Sequence, residues 1–268
     1  MTHTTSRRTE RRSTRRTKRI AAAALAAGAL VAGTAVASTG LVAPGTPGKD
    51  VTFGGDNDNA DNPFIQPPGV TAKQHMDNTD VLFGRANDDL LIGKLGGDTL
   101  LGGTDDDILV GGPEKGQAPN SDVLVGDYGN DVNIWAPGDG SDAFIGNQGY
   151  DTMIFAPFVE DSNGELLLTR SGHRLVPRVD IDAKPAFSCT IVEVPASERL
   201  GFQFLVRFNV NGNPVVTVRQ KDVERVFCPS PTEGKVNVAD LTDAHPRFHE
   251  KWIAQVGGVS GKIMTPVR

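Results

Sequence analysis

The chain is poor in the residues that usually carry chemistry. Among its 268 residues are two cysteines, five histidines, two tryptophans and two tyrosines. Neither cysteine falls in the middle of the chain, which disfavours a thiolate zinc or copper site there. Neither His-Glu-x-x-His nor Gly-x-Ser-x-Gly occurs, so there is no metalloprotease helix and no nucleophile elbow to recognise. Beyond residue 37 no apolar run reaches the ~20 residues that a bilayer span needs, so the mature form is not expected to span a membrane or form a pore. Positive charge is scarce as well. The net charge is −6, and because the first 37 residues hold eight basic residues and one Glu, the remainder carries −13. Such a surface disfavours nucleic acid as a partner.

The basic residues that exist are concentrated at the start. Arg7, Arg8, Arg11, Arg12, Arg15, Arg16, Lys18 and Arg19 precede the Ala-rich run Ile20–Ala32 and the small-residue site Ala35-Val36-Ala37. Residues 1–37 therefore read as a secretory signal peptide, with an uncleaved anchor as the alternative, and the expected location is secreted and extracellular. The paired arginines leave the export route, general or twin-arginine, open. Residues 38–74, rich in Pro, Gly, Asn and Asp, read as a linker, part of which covers the first open end of the repeat region beyond it.

What the chain has in abundance is aspartate at a fixed period. Asp80, Asp89, Asp98, Asp107, Asp122, Asp131, Asp142 and Asp151 are separated by 9, 9, 9, 15, 9, 11 and 9 residues. Each is followed by a short, mostly apolar triplet whose middle residue is Leu82, Leu91, Leu100, Leu109, Leu124, Asn133, Phe144 or Met153. The middle side chain of a three-residue strand faces opposite to its neighbours, so this row points inward and only stacked coils can bury it. Two residues before Asp stands Gly or, in its place, Asn78, Asn87, Asp105 or Asn120, the non-glycine types best suited to positive φ. Between residues 77 and 157 there are fourteen Asp and one Glu against three Lys or Arg, a net charge of −12. Stacked carboxylates repel unless a cation lies between them. The ligand set is all oxygen, which suits a hard cation and Ca²⁺ before Mg²⁺.

This pattern resembles the RTX, or hemolysin-type calcium-binding, nonapeptide repeat Gly-Gly-x-Gly-x-Asp-x-U-x over about residues 75–157. The resemblance implies an all-β fold: a right-handed parallel β-roll, a calcium-binding solenoid, followed here by a small antiparallel β domain. It further implies that alternate aspartates share Ca²⁺. Asp89, Asp107, Asp131 and Asp151 would form one side, and Asp80, Asp98, Asp122 and Asp142 the other, with at most six ions in all. Both long insertions fall on the second side, so Asp98/Asp122 and Asp122/Asp142 are expected to be the weaker pairs. Several residues expected to face outward, including Val81, Phe83, Leu90, Ile92, Leu101, Ile134 and Ile154, are apolar as well. They express either β-propensity or a face packed on the rest of the chain or on a partner.

Residues 158–268 change character. Strand-like runs occur at Glu165–Thr169, Thr190–Val194, Phe202–Val210, Val215–Arg219 and Val223–Phe227, with Asn211-Gly212 as a hairpin turn and one helix late in the chain. Cys189 and Cys228, the only pair in an exported chain, are expected to form a disulfide. His245 and His249, with Glu250, could share a metal on a helix, though Pro246 argues against one; Asp180, Asp182, Glu193 and Glu198 could include a carboxylate pair. No catalytic residue is expected. The domain is expected to cap the roll and to bind a cell surface, a polysaccharide or a protein. An extracellular adhesive or structural module, or a polysaccharide- or lipid-modifying enzyme, are the alternatives.

Overall fold

The structure, a computed structural model, describes residues 42–45, 48–49, 51–53, 80–94, 96–112, 121–162, 166–182 and 184–265. Residues 1–37, read above as a signal peptide, and Asn78 and Asn120 lie outside the described residues.

The chain winds between two eight-stranded sheets. The first has the order β1 (Val42–Pro44), β3 (Val81–Ala86), β5 (Thr99–Thr104), β7 (Val123–Tyr128), β9 (Ala143–Gln148), β15 (Asn213–Lys221), β14 (Phe204–Val210) and β13 (Phe187–Glu193). The second has β2 (Val51–Phe53), β4 (Leu90–Ile92), β6 (Ile108–Val110), β8 (Val132–Trp135), β10 (Thr152–Phe155), β16 (Arg225–Pro229), β17 (Lys235–Asp240) and β18 (His249–Trp252). From β1 to β10 all pairing is parallel, the signature of a β-solenoid. β15 joins β9 and β16 joins β10, again in parallel, and the remaining strands of each sheet are antiparallel. The antiparallel part thus prolongs both sheets of the roll. At the other end, β1 and β2 come from the stretch read as linker and pair with the first repeat strands. A hairpin, β11 (Leu168–Ser171) and β12 (Arg174–Pro177), and a short helix, α1 (Gly258–Met264), add apolar side chains to the outer face of the second sheet.

Among the repeat strands, triplets occur in the second sheet only. β4 and β6 have three residues, whereas β3, β5, β7 and β9 have six, because the turns that follow them stack in register: Arg85 beside Gly103, Asp127 and Asn147.

The row two residues after each Asp fills the space between the sheets. Leu82, Leu91, Leu100, Leu109, Leu124, Phe144 and Met153 are all fully buried. Each such side chain contributes roughly 1.5–3 kcal/mol relative to exposure. Trp135, Phe155 and Phe208 extend this core into the antiparallel part, with ring centroids 4.8–6.1 Å apart. The outward apolar residues have two different meanings. Leu90, Ile92, Ile134 and Ile154 lie in a second core, which includes Val176 of β12 and Ile263 and Met264 of α1. Val81, Phe83 and Leu101, on the outer face of the first sheet, stay partly exposed.

Asn133 interrupts the inner row, between Leu109 and Met153 of the neighbouring strands. It is 1% exposed, and neither its amide oxygen nor its nitrogen has a hydrogen-bond partner. A buried unsatisfied amide costs about 1–3 kcal/mol. Asn133→Leu restores the residue that other coils use and is expected to raise stability by about that amount in urea unfolding. A lower unfolding midpoint would show that the amide has a role the row does not reveal.

Candidate metal centre

Every repeat aspartate turns into the protein. Asp80, Asp89, Asp98, Asp107, Asp122, Asp131, Asp142 and Asp151 are each 0–2% exposed. Their carboxylates form two hydrogen-bonded ladders, one along each side. On the regular side, the amides of Asp89, Asp107 and Asp131 donate to Oδ1 of Asp107, Asp131 and Asp151, each at 2.8 Å. On the interrupted side, the amides of Asp80, Asp98 and Asp122 donate to Oδ1 of Asp98, Asp122 and Asp142 at 2.8, 2.6 and 2.9 Å.

The turn explains where the second carboxylate oxygen goes. Six turns open on a glycine, and a Cβ there would collide with Oδ2 of its own aspartate, at Gly84, Gly93, Gly102, Gly111, Gly126 and Gly146; the turn before Asp142 has Trp135 in that place. At Gly84 that point is 2.5 Å from both Asp89 Oδ2 and the carbonyl oxygen of Gly102 in the next coil. The turn therefore brings a carboxylate and a main-chain carbonyl oxygen onto one spot, which only glycine leaves open. Two further positions per turn are left-handed. Asn87 and Asp105 take the place that the sequence assigned them, at φ 73° and 79°. Asp127 and Asn147 do the same two residues earlier, as do Arg85 and Lys94, whose side chains do not announce it.

Oδ2 of Asp107, Asp122, Asp131 and Asp151 is buried with no hydrogen-bond partner. Burial, above all, pushes the carboxyls up: Asp107 to about 8, Asp151 to about 8, Asp131 to about 7 and Asp122 to about 6. The donated amide works against this in each case, and neighbouring carboxylates add to it at Asp107, Asp131 and Asp151. A bare ladder thus resists ionisation. One cation of the chain's own approaches the regular side: Arg174 of β12 donates from Nη2 to the Asp89 carbonyl at 3.3 Å and lowers the Asp107 and Asp131 carboxyls.

On the interrupted side the insertion adds a carboxylate to the ladder. The extra residues before Asp142 supply Asp139, which periodicity did not single out. Asp122, Asp139 and Asp142 have carboxylate oxygens within 4.8 Å of one another, and all three are buried. The Trp135 indole fixes this loop by donating to the Gly140 carbonyl at 2.9 Å, and Gly140 N donates to Asp139 Oδ1 at 3.1 Å. Desolvation first, then Asp142 and Asp122, raises the Asp139 carboxyl well above the ordinary range. Three carboxylates enclosed together need protons or a cation between them, and this buried group could hold a metal ion. Its donors are all oxygens, which fits a hard cation.

The other candidates dissolve. His249 and Glu250 lie on β18, not on a helix, and Glu250 accepts from Ser230, Thr232 and Lys235. Asp180 pairs with Lys184, Asp182 accepts from Gly234 N, and Glu193 pairs with Arg199. Each of these three carboxylates is held by a donor of its own.

Fold and site together define a parallel β-solenoid with a buried acidic ladder along each side. No family model, curated protein or solved structure matches the chain.

Proposed function

We propose that the chain is an exported, extracellular calcium-binding protein of the RTX type, whose repeats fold as they take up several Ca²⁺ ions. The observation that carries this reading is the set of buried carboxylate oxygens without a hydrogen-bond partner at Asp107, Asp122, Asp131 and Asp151, with a main-chain carbonyl oxygen brought to the same glycine face at Asp107 (Gly126 O) and at Asp151 (Asp222 O). The residues that would hold the ions are Asp89, Asp107, Asp131 and Asp151 on one side and Asp80, Asp98, Asp122 and Asp142 on the other, with Asp139 added to the last pair. Calcium supplies the positive charge that lets these groups ionise inside the protein. Its tolerance for six to eight oxygens suits a carboxylate-and-carbonyl set, whereas Mg²⁺ asks for a tighter octahedron and keeps its waters. The Cys189–Cys228 disulfide supports an oxidising compartment, where calcium is plentiful. The antiparallel part serves as the cap and carries any contact with a surface, polysaccharide or protein; the role is binding rather than catalysis.

The test removes charge without removing the ladder's hydrogen bonds. Asp107→Asn with Asp131→Asn keeps an Oδ1 acceptor at both positions. Calorimetric titration of the exported protein is expected to show calcium binding, little response to Mg²⁺, and at least tenfold weaker binding on the regular side in the double variant. A titration the variant leaves unchanged would sink the assigned register. Equal responses to both ions would sink the choice of calcium.

A further inference from the structure

The regular ladder does not stop at the last repeat aspartate. The amide of Asp151 donates to Glu224 Oε2 at 2.6 Å, as the amides of Asp89, Asp107 and Asp131 donate to the next coil's Oδ1. The Asp151 carbonyl accepts from Glu224 N and Arg225 N at 3.0 Å, the bond that Ile108, Val132 and Thr152 make to Asp89, Asp107 and Asp131. On either side of this point β15 and β16 run parallel to the last repeat strands, with Gln220 beside Phe144 and Val226 beside Met153 in the inner rows. Asp222 is left-handed, at φ 50°, like the turn residues of the repeats. Its carbonyl oxygen meets the Cβ position of Gly146, the place that Gly102 O takes at Gly84 and Gly126 O takes at Gly102. The segment β15–Asp222–Val223–Glu224–β16 is therefore one more coil, its turn cut from six residues to three. The additional methylene of Glu makes up the reach that the short turn loses.

We propose that this hidden turn is a further divalent-cation site of the calcium type, held by the carboxylates of Asp151 and Glu224 and the carbonyl oxygen of Asp222. The proposal rests on the calcium-binding reading of the repeats. Asp151 is 0% exposed, its Oδ2 has no partner, and it points at the same glycine face as the Asp222 carbonyl. The Asp222 side chain is held aside: Gln203 donates to its Oδ1 at 2.6 Å and accepts from its amide at 3.0 Å. The nearby Arg225 is engaged on the Tyr150 ring and hydroxyl. The site joins the last repeat to β16, which carries Cys228, so an ion there ties the disulfide-linked part to the roll.

The experiment uses the whole exported protein with its disulfide intact. Glu224→Gln keeps an acceptor for the Asp151 amide and removes the charge. Equilibrium dialysis against Ca²⁺ is expected to show one ion fewer per chain than wild type, or one site weakened tenfold or more. Wild-type calcium binding with the same number and affinities in the variant overturns this inference and leaves the repeat reading standing. A wild type that binds no calcium overturns both. Should the variant fail to fold, hydrogen exchange of the wild type decides. Residues 222–226 are expected to gain protection at the same free calcium as 146–151. Repeats that become protected while 222–226 do not would overturn the site.

Discussion

Removing calcium at pH 8 is expected to unfold the roll, and lowering the pH to about 5 in the same chelator is expected to restore part of it. Extracellular calcium modules bind with Kd on the order of 0.1 mM, so at about 1 mM calcium each site adds roughly 1.4 kcal/mol. Four or five such sites add about 6–7 kcal/mol, comparable to the whole stability of a domain. Protons can replace part of that contribution. The carboxyls of Asp107 and Asp151 rise from 3.8 to about 8, and that of Asp131 to about 7, without a cation. Between those values and 3.8 the folded chain holds more protons than the unfolded one. Stability in chelator therefore falls as the pH rises from about 4 to 8, the reverse of the usual carboxylate behaviour. Calcium should flatten this dependence, because an ion in place of the protons leaves no proton to lose. The measurement is far-UV circular dichroism with urea unfolding at both pH values, with chelator and with calcium. A chelated protein as stable at pH 8 as at pH 5 would mean that the ladder carries its charge without help.

The parts of this fold legible in the sequence are those that repeat. Asp at a fixed spacing and Leu two residues later establish both the strand and the face it buries, because a slip of one residue would expose the whole Leu row. Asn87 and Asp105 could be placed at positive φ because few other residues tolerate it. Asp139 was not legible, since it stands outside the period and enters the site only through the shape of an insertion. Glu224 was further still from reach: it is 73 residues from Asp151, and only parallel pairing of β15 and β16 brings it to the end of the ladder. The outward apolar residues show a different limit. Leu90 and Leu101 look alike in the sequence, yet one is buried near β12 and the other remains partly exposed, because that difference is decided by where a distant hairpin folds back. His245 and His249 show why spacing alone is not a site: four residues apart has meaning on a helix, but His245 lies in a bend and His249 opens a strand.

Reducing the disulfide is expected to loosen the antiparallel part while the calcium-loaded repeats stay protected. Cys189 lies on β13, the outermost strand of the first sheet, and Cys228 on β16 of the second, so the bond clamps the two sheets together at their far end. Their sequence separation of 39 places the loss at about 4 kcal/mol on the chain-entropy account. The loss should be local. Among the described residues β13 pairs with β14 alone, so one ladder, the packing of Phe187 and Ile191 on the core, and the clamp hold it. The repeats are held by their own stacked pairs and by the ladders, neither of which touches the cysteines. Hydrogen exchange in calcium, with and without reductant, separates the regions. Faster exchange confined to 187–210 and 225–240 is the expected result. Equal acceleration across 80–157 would show that roll and extension open as one unit, with continuity of the two sheets outweighing the boundary between parallel and antiparallel pairing.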